Sequence, residues 1–248
     1  MGYKSILLSF KEDVAVIQFK RDENKNTINQ LMVDELFEAM EECENKAKIV
    51  IFEGNEEYFC FGADFNGNEP SIMKEGRSLF DLLLKISEAP FVSICYVLGR
   101  TNAGGMGFAA CCDIVIASET ATFSLSELLF GLYPAMVIPF LKHKIGCHHM
   151  NYMALMTKPF SAKEAFDFGI VDCVSEKPSL ALGQHIARIK KVPANAIRNY
   201  KKYMRTLYGT RAEYKDVAIK ENVNIFSDEE NQERIRNFVK NGIYPWEM

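Results

Sequence analysis

Residues 91–107, FVSICYVLGRTNAGGMG, join a predicted strand to a turn rich in glycine. The run FVSICYVL at 91–98 is almost continuously apolar, which is typical of a strand in a parallel sheet that is covered on both faces. The turn at 102–107 consists mostly of small residues, so a ligand can approach its backbone closely, and a helix that begins there presents unpaired N–H groups. This stretch therefore predicts an α/β fold with a binding turn that follows a strand.

Strand and helix signals alternate on either side of this stretch. Buried strands are predicted at 49–52 and 114–117, and a hairpin at 7–19. The apolar residues after Asn29 recur with the period of an amphipathic helix, and Asn29 or Thr27 is suited to cap that helix. Strands that alternate with helices imply right-handed crossovers and a largely parallel sheet.

The part of the chain beyond about residue 135 differs, because only one strand signal remains there, at 169–176. Ser161 with Glu164 and Ser227 with Glu230 fit capping boxes, which mark the starts of helices. We therefore expect successive helices in the C-terminal part of the chain.

The composition is that of an ordinary globular protein: 248 residues, of which 48% are hydrophobic, with a formal net charge of −4. No apolar run reaches the roughly 18 to 20 residues that span a bilayer, and the N-terminus lacks the features of a secretory signal. The seven cysteines are scattered, which argues against a disulfide framework. The basic residues are dispersed, which argues against nucleic-acid binding. We therefore expect a soluble, cytoplasmic protein whose partner is a small molecule or another protein.

A second turn with small residues follows the predicted strand at 49–52. It reads CFGADF at 60–65. One backbone N–H group from each of the two turns would together form an oxyanion hole. Glycines at such positions also permit close packing of helices on strands, and the spacing alone leaves both interpretations open.

A weak dinucleotide-binding fingerprint overlaps the first turn. Gly105, Gly107 and Ala110 match its spacing, and Glu127 lies twenty residues beyond Gly107. The fingerprint should begin directly at the end of the strand, however, and here residues 99–104 intervene. The match therefore carries little weight.

One carboxylate, Glu127, stands among apolar neighbours in FSLSELLFGLYP at 123–134. Desolvation disfavours the charged form of such a group, which suits a residue that shuttles a proton. The alternative is a glutamate on the solvated side of an amphipathic helix, and the pattern by itself does not decide between them.

Five segments together resemble the crotonase (enoyl-CoA hydratase/isomerase) superfamily over about residues 5–240. They are NTIN at 26–29, FGAD at 61–64, NAGGMG at 102–107, CDIVIA at 112–117 and FSLSE at 123–127. The resemblance implies an α/β fold, a crotonase-like spiral of ββα units, with a catalytic core at 1–190 and a C-terminal helical trimerisation region at 191–248. It also implies an acyl thioester of coenzyme A or acyl carrier protein, whose oxygen is held by the N–H groups of Ala63 and Gly104.

The sequence departs from the two-glutamate pattern of the hydratases in this superfamily. Glu127 falls on the second glutamate, but Gly107 stands where the first belongs, so a reaction with a single carboxylate is favoured. The chain is most similar to the dehydratases of polyketide β-branching, through NTIN, FCFGADF, NAGGMGF, FSLSELLFGLYPA and YPWE. Those enzymes are lyases that convert 3-hydroxy-3-methylglutaryl on an acyl carrier protein to 3-methylglutaconyl.

The same resemblance assigns roles to individual residues. Glu127 is the expected proton-transfer residue. Asp64 is a candidate second acid/base or water holder, with a helix cap as the alternative. Asn102 and Gly105 are expected to bind the substrate, Asn102 either through the hydroxyl group or by ordering its loop.

Basic residues are candidates for two further roles. Arg77 or Lys74 would pair with the distal carboxylate of the substrate, with a solvated helix face as the alternative. The basic segments at 188–191 and 198–202 fit the phosphates of coenzyme A or pantetheine, or the acidic docking helix of a carrier protein.

No cofactor and no metal is expected. The predicted partners are an acyl-thioester substrate and further copies of the chain, as a homotrimer or a dimer of trimers, and neither nucleic acid nor a membrane. Three other functions of the same fold stay open: a coenzyme A hydratase, a glutaconyl-thioester decarboxylase, and a non-catalytic acyl-thioester or RNA-binding relative. Glu127 weighs against decarboxylation, because the decarboxylases that this chain resembles generally lack it.

Several other polar residues are expected to be structural. Buried packing explains Cys60, Cys111 and Cys112 better than nucleophilic catalysis does, since no histidine is near them in sequence. Asp113 opens a strand and is expected in a structural hydrogen bond, and the histidines at 148–149 are expected at the surface.

Overall fold

The structure is a computed structural model that describes residues 2–65 and 78–247, and two β-sheets form the centre of the fold. The strands within these ranges are β1 (Ile6–Lys11), β2 (Val14–Phe19), β3 (Ile49–Glu53), β4 (Tyr58–Cys60), β5 (Val92–Val97), β6 (Arg100–Asn102), β7 (Ile114–Ser118), β8 (Thr122–Ser124), β9 (Phe160–Ser161) and β10 (Cys173–Ser175). The larger sheet has the order β1-β2-β3-β5-β7-β10. Strand β1 is antiparallel to β2, and the other neighbours pair in parallel, as the alternation of strands and helices predicts.

The smaller sheet has the order β4-β6-β8-β9. Strands β4, β6 and β8 are parallel, and β9 closes this sheet as an antiparallel edge strand. From β3 to β8, successive strands therefore alternate between the two sheets. Strands β3, β5 and β7 belong to the larger sheet, and the strands that directly follow them, β4, β6 and β8, belong to the smaller one. These repeated pairs, with the helices between them, confirm the predicted spiral.

Helices cover both sheets and fill the space between them. Within the described ranges they are α1 (Gln30–Lys46), α2 (Leu79–Glu88), α3 (Gly105–Cys111), α4 (Ile138–Met156), α5 (Ala162–Asp167), α6 (Pro178–Ile189), α7 (Ala194–Tyr208), α8 (Lys215–Ser227) and α9 (Glu229–Asn241). All residues of α3 are buried. Its Phe108 ring packs against the rings of Phe19 and Phe59, at centroid distances of 5.1 and 6.2 Å. The glycine-bearing helix is therefore anchored in the aromatic core.

Two of the predicted helix starts are confirmed. The Asn29 side chain accepts a hydrogen bond from the Met32 N–H group at 3.0 Å and caps α1. Ser161 and Glu164 form both hydrogen bonds of a capping box at the start of α5. The cap residues in the sequence therefore predict correctly where α1 and α5 begin.

The predicted capping box of Ser227 with Glu230 is wrong. Helix α8 continues through Ser227, and the next residue, Asp228, has extended backbone angles and caps α9 by accepting the Asn231 N–H group at 3.0 Å. Aspartate and serine are about equally suited to this position, so the pattern of residue types did not distinguish them.

No helix of the described residues is long and apolar enough to cross a membrane. The predicted surface loop at 66–76 lies outside the described residues, as do Lys74 and Arg77. Helix α2 begins at Leu79 behind a capping box formed by Ser78 and Asp81. The division of the chain at residue 190 stays a prediction, and this position directly follows α6.

Candidate active site

A cavity of about 540 Å³ lies where the two glycine-bearing turns approach the segment after β8 and the C-terminal helices. The turns follow β4 and β6, short strands of the smaller sheet, and not the longer predicted strands directly. The cavity lining includes the predicted site residues Ala63, Asp64, Asn102, Gly104 and Glu127. The fold therefore brings together in one cavity five residues that the sequence separates by up to 64 positions, from Ala63 to Glu127.

The two turns are in direct contact. A Cβ atom on Gly104 would lie 3.6 Å from the Cα atom of Gly62. Gly62 has a φ of +93°, and a Cβ there would lie only 2.8 Å from the Cβ of Ala103, so a side chain at Gly62 would disturb both turns. Because these contacts hold the turns side by side, the backbone groups at Ala63 and Gly104 are neighbours.

The N–H groups of Ala63 and Gly104 are left unpaired by the described residues. In the turn at Ala63, the Ile28 N–H donates to the Gly62 carbonyl at 2.7 Å, and the Asp64 N–H donates to the Ile28 carbonyl at 2.9 Å. These two hydrogen bonds involve the residues on either side of Ala63 and leave the Ala63 N–H group without an acceptor among the described residues. In the other turn, Gly104 precedes the first turn of α3, where N–H groups have no partner within the helix. This arrangement provides two donors for one oxygen atom of a ligand.

Gly105 has a different environment from the one expected for a substrate-binding residue. It is buried, and a Cβ atom there would lie 2.2 Å from the Cys60 carbonyl oxygen. Gly105 is not among the residues that line the cavity. The glycine at this position therefore allows α3 to pack closely on β4, which was the alternative to ligand binding.

Glu127 lines the cavity with a carboxylate that is partly buried. It begins a 3₁₀ turn, Glu127–Phe130, and its Oε2 atom is buried without a hydrogen-bond partner. Burial raises the pKa of Glu127 to about 7, and the nearby N–H groups of Glu127 itself and of Ser126 offset this effect only in part. A carboxyl group with this pKa both accepts and donates protons near neutral pH, so Glu127 is suited to proton transfer.

Asn102 holds the segment that carries Glu127. Its Nδ2 atom donates to the Ser126 hydroxyl at 2.9 Å, and its Oδ1 atom accepts from the Ser124 hydroxyl at 2.7 Å. Asn102 is only 7% exposed. Of the two roles considered for this residue, the structure therefore shows the ordering of its surroundings, since both ends of the amide are bound to protein groups.

Asp64 forms an ion pair that the sequence analysis did not predict. Its Oδ2 atom lies 2.6 Å from Nη2 of Arg21, and both side chains are about 11% exposed. Arg21 also donates to the carbonyl oxygen of Thr27. The pair thus ties the turn at Ala63 to the segment that follows β2.

The residues expected to be structural have structural partners. Cys60 is buried, which raises the pKa of its thiol to about 12 and disfavours a nucleophilic thiolate. Asp113 accepts hydrogen bonds from the Ser93 N–H group at 2.8 Å and from the Lys201 ammonium group at 2.7 Å. Lys201 is 8% exposed, so it is not accessible to a partner, contrary to its assignment to a docking surface.

Comparisons with known proteins identify the family to which this chain belongs. Residues 9–247 match the family described as Enoyl-CoA hydratase/isomerase. This chain is a member of that family, the crotonases. The crotonase is 41% identical over 253 aligned positions to the protein named Bacillaene synthase dehydratase PksH of Bacillus subtilis, which covers 99% of this chain and 97% of the relative.

Solved crotonase structures have the same fold. The crystal structure of the polyketide biosynthesis enoyl-CoA hydratase pksH from Bacillus subtilis has a TM-score of 0.93 at 39% identity and covers 98% of this chain and 100% of its own. An enoyl-CoA hydratase from Bacillus halodurans has a TM-score of 0.86 at 21% identity, covering 94% and 99% of the two chains. The second likeness shows the fold alone.

Gly107, which stands where the sequence resemblance places the first glutamate of the hydratases, is closely surrounded by apolar side chains. A Cβ atom on Gly107 would lie 2.6 Å from Cδ1 of Leu83 and 3.4 Å from Cγ2 of Val137. Apolar side chains therefore occupy the volume that a second glutamate would need.

Two residues on the C-terminal helices of this crotonase contact the segment around Glu127 and were not found from the sequence. Asn231 on α9 donates to the Gly131 carbonyl at 3.1 Å. Glu221 on α8 accepts a hydrogen bond from the Tyr133 hydroxyl, which raises the pKa of Tyr133 to about 12. Each contact joins positions about 90 to 100 residues apart, so no local sequence signal marks either one.

Proposed function

We propose that this protein is a dehydratase that removes water from 3-hydroxy-3-methylglutaryl on an acyl carrier protein to give 3-methylglutaconyl. The observation that carries this proposal is the cavity itself, in which two unpaired N–H groups, at Ala63 and Gly104, accompany one partly buried carboxylate, Glu127. The 41% identity to a protein named a dehydratase, over nearly the whole of both chains, supports the same assignment.

The first step of the proposed reaction is proton transfer from carbon to Glu127. The thioester oxygen accepts hydrogen bonds from the Ala63 and Gly104 N–H groups, and the Glu127 carboxylate removes the proton from C2. The electron pair of the C2–H bond moves towards the thioester, and the two N–H groups stabilise the enolate oxygen. Main-chain donors held by packed strands are already in position, so the charge develops without rearrangement.

The second step returns the same proton. The electron pair of the enolate forms the C2–C3 double bond, the C3–O bond breaks, and the protonated Glu127 gives its proton to the leaving hydroxyl group as water. Glu127 is then a carboxylate again. One residue serves both steps when the proton and the hydroxyl leave from the same face of the substrate, and a pKa of about 7 allows both protonation states.

In this proposal Asp64 and Asn102 position the site and transfer no proton. The Asp64 carboxylate is paired with Arg21, and both ends of the Asn102 amide are bound to serine hydroxyls. The pairing of Arg77 or Lys74 with the distal carboxylate of the substrate remains part of the proposal, since both residues lie outside the described ranges.

The direct test is incubation of the purified protein with carrier protein loaded with 3-hydroxy-3-methylglutaryl, followed by intact-protein mass spectrometry. We expect the loss of one water from the acyl chain. The same acyl group on coenzyme A, tested in parallel, measures the preference for the carrier. Loss of carbon dioxide in place of water would assign a decarboxylase, and an unchanged substrate would refute the proposal.

We also propose that the carrier protein docks on exposed basic residues near α6 and α7, in the cytoplasm. Arg188, Lys191, Arg198 and Lys202 are exposed, whereas Lys190 pairs with Glu12 and Asp13 and Lys201 is buried. Carrier proteins are acidic, so such a contact weakens with added salt. Binding to the carrier that does not change between low and high salt would argue against this surface.

The chain is proposed to act as a homotrimer or a dimer of trimers. Helix α7 carries large hydrophobic residues that are more than half exposed in the single chain, namely Tyr200, Tyr203 and Leu207. Apolar side chains exposed in a row on one helix are typical of a contact between proteins. Sedimentation of the purified protein measures the assembly, and a monomer at micromolar concentration would contradict it.

A further inference from the structure

Asn222 on α8 is a buried amide in the wall of the cavity. It is 5% exposed, and its Nδ2 atom has no hydrogen-bond partner in the part of the chain that the structure describes. An amide N–H group that is removed from water without an acceptor costs free energy, so buried side-chain amides are normally paired. The acceptor for Asn222 is therefore expected to come from the molecule that fills the cavity.

Glu127, the proposed proton-transfer residue, also has a buried polar atom without a hydrogen-bond partner within the described ranges. Among the described residues, the buried side-chain polar atoms without a partner that belong to the cavity lining are Thr27 Oγ1, Glu127 Oε2 and Asn222 Nδ2. The hydroxyl group of Thr27 can donate or accept a hydrogen bond, and Glu127 is the group that takes up and returns the proton in the proposed reaction. Asn222 Nδ2 is a donor only and cannot take over either function.

Helix α8 presents Asn222 beside the segment that continues from Glu127. Phe226, one helical turn further along, lines the same cavity and packs with Leu132 and with the Phe65 ring, at a centroid distance of 6.2 Å. On the other side of Asn222, Glu221 accepts the Tyr133 hydroxyl. The amide is thus fixed within a mostly apolar wall at the end of the cavity formed by the C-terminal helices.

Among the residues that the structure describes, the groups discussed so far leave one acceptor of the proposed substrate unserved. Its thioester oxygen faces the two oxyanion N–H groups, and its C2 proton and 3-hydroxyl group are served by Glu127. The remaining polar group is the carboxylate at the far end of the acyl chain. A carboxylate is an acceptor only, which matches a donor-only partner.

We propose that Asn222 donates a hydrogen bond from Nδ2 to the distal carboxylate of the acyl chain and thereby selects dicarboxylic over apolar acyl groups. This inference rests on the proposed function, because it takes the acyl group from there. A carboxylate has two acceptor oxygens, so this hydrogen bond is compatible with the proposed pairing of the same carboxylate with Arg77 or Lys74. The described cations in the cavity lining, Lys25 and Arg100, lie over the Phe61 ring, 5.5 and 4.9 Å from its centroid.

The test uses two unreactive thioesters that differ only in the distal group. The first is 3-methylglutaryl on pantetheine, which lacks the hydroxyl group and so cannot lose water. The second is 3,5-dimethylhexanoyl on pantetheine, in which an isopropyl group replaces the carboxylate at similar size. Binding of both is measured by calorimetry for the natural protein and for the Asn222→Leu and Asn222→Asp variants.

We expect Asn222→Leu to bind 3-methylglutaryl about 10- to 100-fold more weakly, since the donor to a charged group is lost, and to bind 3,5-dimethylhexanoyl as tightly as before. Asn222→Asp keeps the shape of the side chain but places a carboxylate opposite the carboxylate of the ligand. We therefore expect a larger loss of affinity for 3-methylglutaryl, and no loss for 3,5-dimethylhexanoyl. Unchanged binding of the apolar thioester also shows that each variant is folded.

Two results would overturn the inference: an equal loss of both ligands, which indicates a structural role, and no loss of either. Both results are independent of catalysis, because neither thioester reacts. The water-loss assay on the natural protein separately tests the proposed function. A protein that dehydrates its substrate, with variants that bind both thioesters alike, would retain the function and refute the role of Asn222.

Discussion

The side-chain amide of Asn231 on α9 donates a hydrogen bond to the carbonyl oxygen of Gly131, 3.1 Å away, and a second one to the carbonyl of Ile225, 3.0 Å away. Gly131 closes the 3₁₀ turn that begins with Glu127, and its φ of +77° is in the left-handed region. A Cβ atom on Gly131 would lie 1.9 Å from Oδ1 of Asn231. The turn that begins with Glu127 and helix α9 are therefore linked through one buried amide.

Replacement of Asn231 by leucine removes both hydrogen bonds and leaves two carbonyl groups unpaired. We expect the free energy of unfolding to fall by about 2 kcal/mol and the rate of dehydration to fall about tenfold or more, because the turn of Glu127 loses its support. Thermal unfolding and steady-state kinetics measure the two effects. Arg236→Ala, at an exposed position on the same helix, is the control and should change neither.

The Glu127→Gln variant tests the proton-transfer assignment. Glutamine has nearly the same shape but cannot accept a proton from carbon, so we expect dehydration to fall by a factor of about 100 to 10,000. Substrate binding should persist, because the N–H groups of Ala63 and Gly104 belong to the backbone. Glu119→Gln, an exchange of the same type at an exposed glutamate, serves as the control. Full activity of Glu127→Gln would exclude Glu127 as the base.

The pKa of Glu127, raised from 4.5 to about 7, also predicts how activity depends on pH. The reaction begins with the carboxylate form, so kcat/KM should fall as the pH is lowered through about 7 and reach a plateau above it. A profile of kcat/KM that stays flat between pH 5 and 8 would contradict this assignment. The profile is measured with carrier-bound substrate at saturating and at limiting concentration.

The free energy of unfolding should depend on pH in the opposite sense to activity, because it decreases as the pH rises. Because the folded pKa of Glu127 exceeds the unfolded one, the neutral carboxyl group favours folding at low pH, and this contribution is lost between pH 4.5 and about 7. We expect Glu127→Gln to be more stable than the natural protein by up to about 3 kcal/mol at pH 8, and equally stable at pH 4.5. Urea unfolding at the two pH values tests this difference, which would be absent if Glu127 were solvated.

The ion pair of Arg21 with Asp64 should act as one unit. Removal of either partner leaves a largely buried charge, so we expect Arg21→Ala and Asp64→Ala each to lower stability by about 2 kcal/mol, and the double variant to lose little more than either one. The exposed pair of Lys46 with Glu42 provides a matched control cycle, with an expected coupling below about 0.5 kcal/mol. Fully additive losses at Arg21 and Asp64 would show that the contact is unimportant.

The sequence predicts those parts of the site that depend on neighbouring residues. The turns at Gly62 and Gly104 are marked by small residues after a strand, and Glu127 by its apolar neighbours. The sequence does not reveal partners that meet only after folding. Arg21 and Asp64 are 43 positions apart, and a buried arginine pair of this kind leaves no periodic pattern.

The short strands β4, β6, β8 and β9 were missed for a related reason. Each has two or three residues, which is too short for an alternation of polar and apolar side chains to be recognised. Their positions follow from pairing with one another in the smaller sheet, and that pairing is a property of the folded chain. The relative position of the turns at Gly62 and Gly104 therefore required the structure.

The packing of Leu83 and Val137 beside Gly107 has a consequence for any attempt to build a site with two carboxylates on this scaffold. A glutamate placed at Gly107 would press against these two buried side chains, so the substitution would overpack the core. We therefore expect smaller side chains at Leu83 on α2 and at Val137 before α4 to make the Gly107→Glu variant more stable than the single substitution alone.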